Sequence, residues 1–273
     1  MSVDHVLKLY SKTIQSSFLH YGFWDDPENI DLSTLSLQDI RNAQYRYIDH
    51  LASFIPSETK TILDVGCGMG GNTSFLLKKG YSLEALSPDS YQKSVIMKKF
   101  NQEVTFHHCK FENFTSGTLF DLILESESVC YIDIDKGFKK AREVLKDGGY
   151  VLASDYFVFF KDNSNSLHYK SSHDMGTYLN SAKENGFDLI KQYDQTENTM
   201  LTLDYANYVI ERFINPTLDY GVYSIDKNFP KISKVIGFFI AKKWQEKKNQ
   251  LDLINSDLFR KYRKYMIYLF QKV

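Results

Sequence analysis

From about residue 60 onward, short apolar runs alternate with amphipathic stretches of helix length. Thr61-Ile-Leu-Asp-Val65 is apolar at nearly every position and ends in a cluster of glycines. Phe75, Leu76 and Leu77 then mark a helix. A second run, Tyr81–Leu86, leads to Pro88, a residue suited to a helix start, and a helix to about Phe100. Val104–His107, Phe120–Leu124 and Tyr150–Ser154 read as three more strands. Between the last two, Phe138, Ala141, Val144 and Leu145 fall on one helical face. Met175, Tyr178, Leu179 and Ala182 predict another helix, stopped by Gly186 before a strand at Phe187–Lys191. Tyr265–Phe270 reads as a closing strand. Strands apolar throughout, separated by helices, predict an α/β fold whose parallel sheet is covered on both faces.

The remaining pattern sets the organisation. Two helices are expected before Thr61, and residues 195–262 read as mostly helical. The expected units are a helical cover (1–59), an α/β core (60–194), a helical insert or lid (195–262) and the core's closing strand (263–273). A length of 273 residues suits one large domain with such an insert. The longest apolar run, near Val235–Ala241, contains Gly237 and is far short of the ~20 residues of a spanning helix. Met1–His20 is polar every few positions, so no leader core is expected. Three cysteines without a CxxC or Cys/His pairing argue against disulfides and against a metal site, and favour a reducing, cytoplasmic setting. The adjacent His107 and His108 on a strand face opposite ways and make no metal pair.

Charge changes the picture only when divided. The net charge is −1, but Lys231–Val273 carries 11 basic against 3 acidic residues, so the rest is strongly acidic. Lys231–Trp244 would present Ile232, Val235, Ile236 and Phe239 on one face and lysines on the other. Either a lid over a pocket or a helix on a membrane surface has this pattern, and its place before a closing strand favours the lid.

The glycine cluster carries the chemistry. Leu63-Asp-Val-Gly-Cys-Gly-Met-Gly-Gly71 joins the first strand to the first helix, where bare backbone and unsatisfied N–H groups receive a ligand. No Lys follows these glycines, as a nucleoside triphosphate loop requires, and Gly66-x-Gly68-x-Gly70 with Asp64 differs from the dinucleotide pattern. The spacing resembles that of class I S-adenosylmethionine-dependent methyltransferases. The segments Leu19-His-Tyr-Gly-Phe-Trp24, Ala85-Leu-Ser-Pro88, Phe120–Ile132 with Glu127-Ser128, and Val144-Leu-Lys-Asp-Gly-Gly149 with Ser154-Asp155 extend the likeness. Together they are similar to the small-molecule branch that includes tocopherol, sterol and cyclopropane-type methyltransferases.

That resemblance implies a Rossmann-like seven-stranded methyltransferase sheet that binds S-adenosylmethionine and methylates a small, partly apolar metabolite. It places the cofactor at Asp64, Gly66, Cys67, Gly68 and Gly70, with Leu86, Ser87, Phe111, Glu112 and Glu125. Glu127, Tyr131, His20 and Tyr21 become catalytic candidates, and Tyr21, Trp24, Glu127, Asp155 and Tyr156 acceptor contacts. The departures are Ala85 at the usual ribose carboxylate, leaving Glu84 or Ser87 to substitute, and Lys110 at the adenine position, with Glu112 nearby. Tyr131 stands where the branch has His. Nucleic acid is not the expected acceptor, because Glu125-Ser-Glu-Ser replaces the aromatic segment of DNA amino-methylating enzymes. A lipid-modifying enzyme at a membrane and a fold relative that binds without turnover stay open as alternatives.

Overall fold

The computed structural model describes residues 13–159, 172–229 and 254–273. Seven strands form one sheet: β1 (Thr61–Val65), β2 (Ser82–Leu86), β3 (Thr105–His107), β4 (Phe120–Ser126), β5 (Leu145–Val158), β6 (Phe187–Asp194) and β7 (Arg263–Lys272). Their order is β3-β2-β1-β4-β5-β7-β6. Each run read as a strand is one. The expectation of a parallel sheet needs one correction, since β7 runs antiparallel to both β5 and β6. Its first residue, Arg263, pairs with Val158 near the C-terminal end of β5. The chain therefore re-enters the sheet from the end at which β6 left it, and has to run back.

Successive residues of each strand feed two separate cores. Leu63, Val65, Ile123, Val151 and Ala153 pack on one face with Phe138, Tyr178 and Phe187. Ile62, Leu122, Leu124 and Leu152 pack on the other with Tyr47, Ile48, Leu51, Phe75 and Phe259. Both faces are thus covered by helices, which is why the central strands β1 and β4 are buried at almost every position.

The covering helices are α1 (Leu37–Ala52), α2 (Gly71–Lys78), α3 (Ser90–Phe100), α4 (Ile134–Val144) and α5 (Met175–Glu184). Between β6 and β7 lie α6 (Thr196–Val209), α7 (Asn215–Asn228) and α8 (Ser256–Tyr262), with a π-helical turn at Ile210–Ile214. In α1 the buried positions are Ile40, Ala43, Gln44, Tyr47, Ile48 and Leu51, a single stripe at helical spacing. Asp39 starts this helix by accepting from the Ser36 backbone N–H at 2.9 Å.

Local boundaries differ in two places. Leu145 opens β5 instead of closing α4, and Asp89 rather than Pro88 caps α3, accepting from Gln92 N at 2.7 Å. Of the two helices expected before β1, one is α1; Thr13 is helical as well, and residues 1–12 lie outside the described residues. Two single 3-10 turns, Pro27–Asn29 and Leu32–Thr34, precede α1. The lysine-rich stretch Lys231–Trp244 lies outside the described residues. No described helix is long and apolar enough to cross a membrane.

The sheet order places a topological switch between β1 and β4. From β1 the chain proceeds outward to β2 and β3, then returns to β4 on the other side. Adjacent loops at the C-terminal ends of β1 and β4 leave in opposite directions there, opening a crevice suited to a ligand.

Candidate active site

The floor of the crevice is the glycine loop. Gly66, Gly68 and Gly70 all have positive φ, at +77°, +55° and +72°. The Gly66 and Cys67 N–H groups donate to Leu86 O at 2.9 and 3.2 Å, tying the loop to the end of β2. At Gly66 the demand is double, for a Cβ there would stand 2.4 Å from Ser128 Cβ. Asp64 lies behind this loop with 1% exposure and accepts from Thr73 Oγ1 at 2.6 Å. Burial pushes its carboxyl up to about 6, against the opposing effect of the Thr73 bond.

A cavity of about 580 Å³ opens above the loop. Its wall includes the predicted Gly66, Cys67, Gly68, Leu86, Ser87, Phe111, Glu112, Glu127, Tyr131 and His20. Gly70 is turned to the core, where a Cβ would stand 2.7 Å from Ile96 and Phe100. Glu125 is also absent from the wall. It lies buried beside the Tyr178 hydroxyl at 3.5 Å, and burial followed by the nearby Asp155 pushes it up to about 8. Of the two proposed substitutes for Ala85, Ser87 is in the wall, whereas Glu84 is committed to His107 at 2.6 Å.

Asn72, Asp89 and Gln92 line the cavity without having been singled out. Asp89-x-x-Gln92 directly after a strand is a recognisable helix-start spacing, and that signal locates it at the strand-two corner. Ser87 Oγ donates to Gln92 Oε1 at 2.6 Å, so these residues form one polar edge.

The opposite wall is built on Glu127, whose backbone has φ +50°, unusual for a side chain of this size. Its Oε1 accepts from the Tyr21 N–H at 2.8 Å and the Tyr265 hydroxyl at 2.5 Å. Burial pushes the Glu127 carboxyl up to about 8, partly offset by these two bonds. Tyr131 stands at the mouth, 79% exposed, with Cys130 followed by burial pushing its hydroxyl up to about 12.

His20 is buried and stacked on Tyr47, with ring centroids 4.0 Å apart. Burial pushes it down to about 4, so the ring is neutral at pH 7. Nδ1 lies 2.8 Å from the Tyr21 carbonyl, which only accepts, so Nδ1 carries the proton. Nε2, 3.0 Å from the Asn72 Oδ1 position, is then a lone pair, and the Asn72 amide must present its NH2 there. His20 orients the wall.

The remaining acceptor candidates sit outside the wall. Trp24 is buried against Ile40, Ala43 and Leu201, and its Nε1 donates to Thr202 Oγ1 at 3.1 Å. This anchors the Leu19–Trp24 segment to α1 and α6. Asp155 is fully buried, accepting from the Tyr156 and Cys130 N–H groups at 2.8 and 3.2 Å, and burial pushes it up to about 7. Tyr156 packs edge-on to Phe259 and Tyr265, with the Arg263 guanidinium 5.3 Å from its ring centre. Among the described residues no group of three His, Cys, Asp or Glu side chains is placed to hold a metal.

Residues 40–195, more than half of the chain, match the family described as "Methyltransferase domain". The chain belongs to that family. Methyltransferase GfsG of Streptomyces halstedii is 26% identical over 148 residues, which cover 51% of each chain. The phthiotriol/phenolphthiotriol dimycocerosates methyltransferase 1 of Mycobacterium ulcerans is 28% identical over 145 residues, 51% of this chain and 53% of that one. The chain thus spans about half the length of these curated relatives. Among solved structures, cyclopropane synthase MmaA2 of Mycobacterium tuberculosis superposes with a TM-score of 0.70 at 14% identity, covering 99% of this chain and 94% of that one. The geranyl diphosphate C-methyltransferase of Streptomyces coelicolor A3(2), solved with S-adenosyl-L-homocysteine, gives 0.68 at 14% identity, covering 97% and 93%. At such identities the shared property is the fold, and it is the Rossmann-like methyltransferase sheet expected from the sequence.

Proposed function

We propose that this protein transfers a methyl group from S-adenosylmethionine to a small, partly apolar metabolite through an N, O or C acceptor atom. The observation that carries the reading is one continuous cavity, running from the bare backbone of Gly66 and Gly68 to the buried carboxyl of Glu127. Its volume of about 580 Å³ falls within the ~300–1,000 Å³ common for small-molecule sites. The residues fit the cofactor. Gly66 and Gly68 leave bare backbone at the floor, and the wall carries Asp89 and Glu112 against Lys110, a balance that suits a cation.

S-adenosylmethionine, when bound, supplies a methyl group already activated on a sulfonium. Gly66 and Gly68 give its methionine portion close approach to backbone, with Asp64 setting the first turn of the following helix through Thr73. Ser87, Asp89 and Gln92 offer the hydroxyl partners of a ribose at the end of β2. Phe111 and Glu112 offer an apolar face and an acceptor for the adenine. Glu127 faces the acceptor side and takes a proton where the acceptor has one to lose. The Leu19–Trp24 segment excludes water from above.

Isothermal titration with S-adenosylmethionine, followed by mass spectrometry of a metabolite extract incubated with protein and cofactor, tests this. Binding and a cofactor-dependent gain of one methyl are expected. Binding of NADH without binding of the sulfonium would overturn the reading, and binding without any methylated product would leave a cofactor-binding protein.

A further inference from the structure

Glu127 is approached by a file of buried hydroxyls that do not belong to the cavity wall. Tyr265 on β7 is fully buried and donates to Glu127 Oε1 at 2.5 Å. Its oxygen lies 3.1 Å from the Tyr47 hydroxyl of α1. Tyr47 is 2.7 Å from Ser154 Oγ on β5, and Gln195 Nε2 donates to that Ser154 oxygen at 2.8 Å. Three separate elements, with Gln195 at the N-cap of α6, converge on one carboxyl.

Proton counting gives the file a direction. A carboxylate only accepts, and Tyr265 has one hydroxyl proton, which goes to Glu127. The 3.1 Å contact must then be made with the proton of Tyr47, and the 2.7 Å contact with that of Ser154. Gln195 completes the line with an N–H. Every donor therefore points toward Glu127 when it is ionised. Oε1 also receives the Tyr21 N–H at 2.8 Å, so it is saturated by two donors. Proton exchange with an acceptor in the cavity falls to Oε2.

We propose that Tyr265, backed by Tyr47 and Ser154, is a positioning residue that pins Oε1 of Glu127 and leaves Oε2 as the base for the acceptor's proton. The acceptor's X–H bond breaks, its electron pair stays on X, and the proton ends on Oε2. This rests on the methyl-transfer reading for its acceptor, but the file of hydroxyls exists without it. The opposing influences are burial, which disfavours the carboxylate, and Asp155 on β5, which repels it. Tyr47 and Tyr265, their hydroxyls raised by burial, and the Tyr21 N–H face it, with Cys130, Tyr131 and Tyr156 in electrostatic reach. A hydrogen bond to an ionised group is strong enough to move a carboxyl by about one to two pKa units.

The test is infrared titration of the carboxyl stretch in the ligand-free protein, with Glu127→Gln identifying the Glu127 band. Tyr265→Phe should raise the Glu127 titration by about one to two units, and Tyr47→Phe by less in the same direction. At pH well below that titration, catalysis in Tyr265→Phe should fall about 10- to 100-fold. Calorimetric affinity for S-adenosylmethionine should be unchanged, since Tyr265 is not in the wall. A Glu127 band that does not move, or moves down, in both tyrosine variants overturns the inference and reduces Tyr265 to packing. A wild-type protein that fails to bind the cofactor overturns the methyl-transfer reading instead, while the infrared shift still decides the role of Tyr265.

Discussion

Gly66 and Ser128 lie so close that a Cβ added to the glycine would stand 2.4 Å from the Cβ of the serine. Ser128 cannot withdraw, because its hydroxyl donates to Val65 O at 2.6 Å and holds the β4 corner against the end of β1. Gly66 also has φ +77°, where an L side chain is strained. Gly66→Ala should therefore lose about 1–3 kcal/mol of stability from each cause and close the crevice between β1 and β4. Thermal unfolding and calorimetry with S-adenosylmethionine measure both losses. A variant that binds as tightly as wild type would place the cofactor elsewhere.

Asp64 links the loop to charge. Burial raises its carboxyl from the usual aspartate range to about 6, so in the ligand-free protein its ionised form is disfavoured up to about that pH. A cationic ligand nearby would favour ionisation, and binding would release a proton. Affinity for S-adenosylmethionine should then rise with pH through about 6 and level off above it. Asp64→Asn should weaken binding about tenfold or more near neutral pH and abolish this dependence. Calorimetry in buffers of differing ionisation heat reads the proton directly. An unaltered pH profile in Asp64→Asn would remove Asp64 from the account.

The sheet was legible because its signal is local: the central strands β1, β4 and β5 are apolar runs, and the edge strands are short stretches bounded by turn residues or a helix. The antiparallel sense of β7 was not, since the residues Tyr265–Phe270 read alike in either direction and the path of the insert decides it. The cofactor side was legible where backbone geometry demands a residue type, as at Gly66 and Gly68. It failed where position depends on which face of a strand end reaches the crevice. Glu125 near the end of β4 and Glu127 just after it are two residues apart, yet one turns into the core beside Tyr178 and the other lines the cavity, because the chain leaves the strand at Glu127 with φ +50°. Tyr265 was read only as part of a closing strand. Its contact with Glu127 joins residues 138 positions apart, which no local pattern reports.

Ala85 raises the question of what would hold a ribose, and the polar edge at Ser87, Asp89 and Gln92 in the cavity wall is the proposed answer. Asp89 has a second task as the cap of α3, accepting from Gln92 N at 2.7 Å, whereas the Gln92 side chain bonds only to Ser87 among the described contacts. The two roles separate by mutation. Gln92→Ala should weaken S-adenosylmethionine binding by about tenfold with little change in Tm, the loss expected of a hydrogen-bonding side chain. Asp89→Ala should weaken binding and also cost about 1 kcal/mol of stability. Equal affinity of Gln92→Ala and wild type would leave the ribose to other partners.

Glu125 offers a test of the fold's electrostatics apart from any ligand. Its carboxyl is buried beside Tyr178 and raised from the ordinary glutamate value of 4.5 to about 8, burial being the main cause and Asp155 the next. A carboxyl that binds its proton more tightly folded than unfolded contributes stability that is full below about 4.5 and is lost as pH rises through about 8. Glu125→Gln keeps the shape and never ionises. Its Tm should match wild type near pH 5 and exceed it by several degrees near pH 9, since ~1 kcal/mol moves Tm by roughly 2–4 °C in a domain of this size. Scanning fluorimetry across that range checks it. A Tm lowered equally at both pH values would mean instead that Glu125 is ionised and paired in the folded state, because an amide removes such an ion pair wherever the carboxylate exists.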